Sequence, residues 1–329
     1  MTLNTIDSDE LRRELLTHPV VVISHMPCPD GMASAVTMRC FLASLEWQTD
    51  QIIRVEYFAG RHATAVRELP NVKDAVVFVL DFSYPREVLE RMNRDAKRLI
   101  VLDHHKSAQK ALAGLPYCEF DMERSGARMT FDFMSKHIEL HDDYVGGLPT
   151  LVNYIQDRDL WQHQLEDTKL VNAFLSTLPL DLHKEALWMQ VASKVVDLRD
   201  MVHQGKTIRM VIDKQVADYM DFVYVGQLLG QTDLVPIVNV PPNLASEVLN
   251  GLVKNSNFPY AVGWYFDGKR YHYSLRSVNR HDCSAIAKRF KGGGHANAAG
   301  FSALDLMVDT FDSSARADRL IRNRQFKDN

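Results

Sequence analysis

The chain has 329 residues, 46% of them hydrophobic, and a formal net charge of -4. That length suits one large or two ordinary domains, and the charge excludes a general duplex-DNA binder, which carries a basic excess. The four cysteines, Cys28, Cys40, Cys118 and Cys283, form no CxxC pair and read as reduced thiols of a cytoplasmic protein. The polar N-terminus lacks a signal-peptide core, and no apolar run reaches the ~20 residues of a membrane span.

Residues 20–23 are a β-branched run, followed by a helical stretch over 31–45. Strand-like runs cover 52–58 and 75–80, and a helix over 85–97 opens on Pro85, where a missing N–H costs nothing. Residues 99–102 form a fourth apolar strand. Wholly apolar strands alternating with helices predict a parallel sheet covered on both faces. Helical signals follow over 125–140 and 150–159. The stretch 184–222, with Gly205 as its one breaker, reads as one or two long helices linking two domains. Beyond it, 234–240 is strand-like and 245–254 helical. Strands over 260–266 and 271–276 flank Asp267-Gly268, a hairpin signal. A short helix over 284–290 ends at Gly292-Gly293-Gly294. The expected fold is α/β: an N-terminal parallel-sheet domain over 1–185, a helical linker over 186–225 and a smaller α/β domain over 226–329.

Polar, metal-competent residues stand where these apolar runs stop. His25-Met26-Pro27-Cys28-Pro29-Asp30-Gly31 follows the first, Asp81 the third and Asp103-His104-His105 the fourth. Asp157-Arg158-Asp159 follows the strand-like run Leu151-Val152-Asn153-Tyr154-Ile155, inside a segment that also reads as helical. Parallel strands deliver their carboxyl ends to one sheet edge, where ligands bind. Several carboxylates gathered there repel one another unless cations sit between them. Mixed carboxylate and imidazole donors suit Mn²⁺, Mg²⁺, Co²⁺ or Fe²⁺. Two such ions clamp a phosphoryl group and acidify water.

Asp103-His104-His105 after an apolar strand resembles the signature of the DHH phosphoesterase superfamily. The His25-x4-Asp30-Gly31 spacing is similar to its first motif, Asp81 to its second and Asp157 to its fourth. Gly292-Gly293-Gly294-His295-Ala296-Asn297-Ala298-Ala299-Gly300 resembles the GGGHxxAAG signature of the DHH-associated C-terminal domain. The resemblance covers nearly the whole chain, in the right order. It implies a two-metal site, with manganese the expected ion. His25 would bind one metal, Asp30 and His104 the other, and Asp81 would bridge them. Asp157 would complete the second metal, with Asp159 as the competing choice. His105 would contact the scissile phosphate and Asp103 would orient a neighbouring histidine; Asp30 joins these two in the catalytic group. Cys28 departs from the family pattern, standing where an acid is usual. A thiolate is a softer donor than a carboxylate, so Cys28 either alters the metal preference or simply packs nearby.

Three glycines let backbone N–H groups approach a phosphate. With His295, Arg276 and Arg280, and with Lys288, Arg289 and Lys291 close by in sequence, this region reads as a substrate clamp. Arg124-Ser125 opens a helix whose N–H groups suit an anion, or which is an ordinary N-cap. Tyr260, Trp264, Tyr265, Tyr271 and Tyr273 offer base stacking, or strand packing.

The expected function is a phosphodiesterase that cuts short oligoribonucleotides or linear dinucleotides such as pGpG to mononucleotides with metal-activated water. The alternatives are a phosphoanhydride hydrolase acting on pyrophosphate or polyphosphate, a cyclic-dinucleotide phosphodiesterase, and a non-catalytic nucleotide-binding regulator. Expected partners are short RNA or a dinucleotide, with no duplex DNA and no membrane; a homodimer is left open.

Overall fold

The computed structural model describes residues 3–61, 68–254, 256–278 and 281–310. Arg280 lies outside them. The chain divides into two compact units, one ending at Arg209 and the other beginning at Met210.

Five parallel strands form the sheet of the first unit: β1 (Val20–His25), β2 (Val55–Gly60), β3 (Val76–Leu80), β4 (Arg98–Asp103) and β5 (Cys118–Phe120), in the order β2-β1-β3-β4-β5. The β5 strand is an addition to the sequence reading; at three residues it is too short to show a period. Helices α1 (Ser8–Thr17), α2 (Pro29–Thr49), α3 (Arg86–Asp95), α4 (Lys106–Ala111) and α5 (Gly126–Met134) lie in and around the strand-bearing half. Then come α6 (Asp142–Val145), α7 (Leu148–Asp159), α8 (Thr168–Leu175), α9 (Ala186–Ala192) and α10 (Leu198–Met220). The predicted helix over 125–140 is therefore shorter, and the long helical stretch is broken between α9 and α10. The division between the units falls inside α10.

The apolar strands alternate between two cores. Val20, Val22, Val76, Phe78, Leu80, Ile100 and Leu102 pack into one, and Val21, Ile23, Val77, Val79, Leu99 and Val101 into the other. A period of two with both faces buried leaves no polar face, which is why these strands read as unbroken apolar runs.

Chain order also makes a switch point. From β1 the chain crosses to β2 on one side, then returns to β3 on the other. Crevices for ligands open at such points, beyond the carboxyl ends of the strands. His25 ends β1 and Asp81 directly follows β3, so the two flank the switch.

The second unit carries β6 (Tyr224–Leu228), β7 (Val235–Asn239), α11 (Pro242–Lys254), β8 (Ala261–Phe266), β9 (Tyr271–Arg276) and α12 (Cys283–Arg289). It closes with β10 (Gly293–Gly294), β11 (Ala298–Ala303) and β12 (Val308–Thr310). These strands make one mixed seven-stranded sheet in the order β10-β11-β9-β8-β7-β6-β12. The Asp267-Gly268 turn joins β8 and β9 as expected, with Gly268 at φ 93°. Tyr260, Leu275, Cys283 and Phe301 anchor one core of this unit.

Among the described residues, no helix is long and apolar enough to cross a membrane.

Candidate metal centre

Three loops and two helix ends meet at the carboxyl edge of the parallel sheet. Asp81 is their hub. It leaves β3 with φ 62° and its amide bonds to Leu102 O at 2.9 Å. Its Oδ1 lies 3.0 Å from His104 Nε2, and its Oδ2 lies 3.3 Å from His25 Nδ1. Both oxygens are thus buried against imidazoles. Burial opposes ionisation of Asp81, but the hydrogen bonds with His104 and His25 outweigh it and hold the carboxyl well below its usual range.

Asp30 sits in the first turn of α2, fully buried. Its two oxygens accept from Gly126 N at 2.6 Å and Ala127 N at 2.9 Å. These are the first amides of α5, whose partial positive charge favours a carboxylate. The N-terminus that suggested an anion site therefore already holds one, supplied by the protein. Ser125 is the ordinary cap of that helix, accepting from Arg128 N at 3.3 Å. Arg124 is tied to three carboxylates, with nitrogens 2.9 Å from Glu119, 2.7 Å from Asp121 and 3.1 Å from Asp132. Arg124, expected as a substrate contact, is engaged in these internal ion pairs.

His104 Nε2 also approaches Asp30 Oδ2 at 3.6 Å and Asp159 Oδ2 at 3.7 Å. Burial alone would depress this imidazole, yet the hydrogen bond to Asp81 and the charges of Asp159 and Asp30 push it up to about 10. Asp30 is driven the opposite way, well above the carboxylate range, by burial and by Asp81 and Asp159. Three carboxyl groups thus crowd one buried histidine.

The run before Asp157 is helical, not a strand end: Asp157 and Asp159 both lie in the last turn of α7. Two positions along a helix turn a side chain by roughly 200°, so the two acids face apart. Asp157 accepts from Gln164 N at 2.8 Å, Leu165 N at 3.1 Å and the Thr168 hydroxyl. Its oxygens are spent on the loop after α7. Asp159 is the one brought to His104.

Asp103 is fully buried and acts as a bracket. Its Oδ1 accepts from His104 N at 2.7 Å, His105 N at 3.1 Å and His105 Nδ1 at 2.7 Å. Its Oδ2 accepts from Ser83 Oγ at 2.6 Å. Burial works against ionisation here too, but the His105 and Ser83 contacts hold Asp103 below the usual range. Bonded at Nδ1, the His105 ring presents Nε2 on its opposite side. Ser83 was not legible in advance, because a serine two residues after Asp81 has no spacing signal.

The donor set suits divalent cations. His25, Cys28 and Asp81 place ligand atoms within 4.8 Å of one another, and so do Asp30, Asp81 and His104. Asp81 belongs to both groups and would serve both cations. A buried carboxylate is costly unless something positive faces it.

In the second unit, Arg276 ends β9 and donates to Ser246 Oγ at 2.8 Å and to Leu275 O at 2.9 Å. The glycines there are explained by packing within the sheet. A Cβ on Gly292 would meet Gly300 O at 2.2 Å, and Gly294 has φ 130°. Gly293 and Gly294 pair with Gly300 and Ala299, and His295 begins a tight turn that closes on Ala298 O at 2.8 Å. Tyr260 and Tyr273 are core residues, whereas Tyr265 stacks on His272 at 4.8 Å between ring centroids. Lys288, Arg289 and Lys291 are exposed.

An α/β sheet whose carboxyl edge gathers acids and imidazoles around a shared aspartate is a setting that could hold divalent cations at a ligand crevice. Residues 19–152 match the description "DHH family, N-terminal domain", so this stretch of the chain is similar to that domain. Uncharacterized protein R106 of Acanthamoeba polyphaga mimivirus is 26% identical over 296 residues, 86% of this chain and 67% of that protein. Oligoribonuclease NrnB of Bacillus subtilis strain 168 is 25% identical over 302 residues, 83% of this chain and 72% of that protein. The DHH domain of a member of the s1p family of ribosomal proteins shares the fold, with TM-score 0.61 at 12% identity over 97% of this chain and 89% of that one.

Proposed function

We propose that this chain is a phosphodiesterase that hydrolyses short oligoribonucleotides or linear dinucleotides to mononucleotides. The observation that carries the reading is the convergence of His25, Asp30, Asp81, His104 and Asp159 on the switch point of the parallel sheet. The similarity to oligoribonuclease NrnB supports the RNA substrate class.

In this reading, His25 and Asp81 would hold one cation, and Asp30, Asp81, His104 and Asp159 would hold the other. Manganese is the expected ion, since hard carboxylates and borderline imidazoles are mixed. When bound, the cations lower the pKa of water and neutralise phosphate charge. Asp30 is kept in place by the α5 amides, and Asp81 by its bond to β4. His105, oriented by Asp103, donates from Nε2 to a non-bridging phosphate oxygen. Arg276 and the turn at His295 are the substrate contacts expected from the second unit.

Purified protein is incubated with Mn²⁺ and a panel of pGpG, longer RNA, cyclic dinucleotides, pyrophosphate and polyphosphate. Fastest turnover of the dinucleotide or the shortest RNA is expected. Exclusive turnover of pyrophosphate or polyphosphate would replace this reading with a phosphoanhydride hydrolase. No turnover of any member with metal bound would remove catalysis on these substrates.

A further inference from the structure

Cys28 stands at the mouth of this centre in an unusual setting. It is the N-cap of α2, with extended backbone (φ -146°, ψ 134°), and its side chain makes no capping hydrogen bond. Pro27 and Pro29 flank it, and each fixes its own φ, so the thiol is presented from a stiff segment. It is half-buried, next to two strong donors. The sulfur, a His25 ring nitrogen and an Asp81 oxygen lie within 4.8 Å of one another. Ligands of one cation stand roughly 3–4 Å apart, so the three donors are near the spacing that a shared cation would require. Asp81 itself is buried, with its Oδ2 facing the His25 ring nitrogen at 3.3 Å.

We propose that Cys28 Sγ is a ligand, with His25 and Asp81, of the cation on the β1 side of the centre. The inference rests on the metal-site reading above and deepens it. A sulfur donor changes which cation is preferred. Thiolates favour Zn²⁺, Co²⁺ and Fe²⁺ and are poor partners for Mg²⁺. The half of the centre formed by Asp30, Asp81, His104 and Asp159 has no sulfur and keeps the preference of an oxygen and nitrogen site. The two halves therefore differ in softness, so a mixed pair of metals is the natural filling.

The test is a Co²⁺ titration of the full chain, followed by absorption. Cobalt bound by the centre gives visible d–d bands, and a thiolate ligand adds an intense near-ultraviolet charge-transfer band. Wild-type protein is expected to show both. Cys28→Ser should keep the d–d bands and lose the near-ultraviolet band. Cys28→Asp should shift the ratio of Mg²⁺ to Co²⁺ dissociation constants towards Mg²⁺ by at least about tenfold. Visible bands in the wild type without the near-ultraviolet band would overturn the role of Cys28 and leave the metal centre standing. Absence of all cobalt bands would overturn the metal centre and this inference with it. The wild-type spectrum decides the point even if a variant fails to fold.

Discussion

Gly126 N donates to Asp30 Oδ2 at 2.6 Å, joining the first amide of one helix to a carboxylate in the first turn of another. This bond places Asp30 beside Asp81 and fixes α5 against the centre. It also explains the glycine. A Cβ at position 126 would lie 2.4 Å from Asp81 Cβ and 2.8 Å from Asp81 Cα, with backbone and hub residue unable to yield.

Gly126→Ala is therefore expected to displace Asp81 or α5. Overpacking of this kind costs about 1–3 kcal/mol, and metal affinity should fall with it. Thermal unfolding and Mn²⁺ titration check the pair of effects; wild-type values in both would show that the contact relaxes freely.

Asp159 and Asp157 should separate cleanly. Asp159→Asn removes a charge 3.7 Å from His104 and is expected to weaken metal binding at least about tenfold with little change in unfolding temperature. Asp157→Ala strips three donors of their acceptor and should cost about 2 kcal/mol. Calorimetry and metal titration on both variants decide it. The opposite pattern would return the ligand role to Asp157.

Asp103→Asn leaves a side chain of the same shape but spoils the bracket, because one oxygen becomes a donor. His105 then loses its orientation. The expected result is a fall in kcat of about 10–100-fold, the range for residues that orient a metal site, with KM nearly unchanged. A large rise in KM with kcat intact would refute the positioning role.

The metal-free protein should lose stability as pH rises from neutral. His104 has a folded pKa of about 10 against an ordinary 6.5, so its contribution is fully present below about 6.5 and fades as pH passes through 10. Asp81 is depressed instead; its contribution is present above its ordinary value and fades only in acid. Over pH 7–10 Asp81 therefore stays ionised and adds no pH dependence of its own. Unfolding of chelated wild type against His104→Gln measures the His104 effect. Superimposable pH profiles would contradict it. Metal affinity should rise over the same range, because a cation must displace the proton.

Arg124→Met should act on stability rather than on substrate. The guanidinium joins β5, the following loop and α5 through Glu119, Asp121 and Asp132, and a partly exposed network of this kind contributes about 1 kcal/mol. Steady-state kinetics are expected to give an unchanged KM. A raised KM with unchanged stability would make Arg124 a substrate contact after all.

Much of this was legible along the chain. Unbroken apolar runs revealed a doubly covered parallel sheet, and polar residues at their ends marked its carboxyl edge. His25, Asp81 and Asp103-His104-His105 were found this way because each directly follows a strand, where local order fixes position. Local order failed at α7. The run Leu151-Val152-Asn153-Tyr154-Ile155 reads equally as strand or helix, and only helical phase separates Asp157 from Asp159. It failed again at Arg124 and Ser125, where a helix N-terminus looks the same whether it awaits a phosphate or already holds Asp30. The sequence by itself determined the layers, the edge and the chemistry gathered there, because these follow from period and order. The tertiary structure alone decided which acid faces His104, what occupies the α5 amides and that Cys28 stands close to His25 and Asp81. Those are contacts between segments far apart in the chain, and no local pattern encodes them.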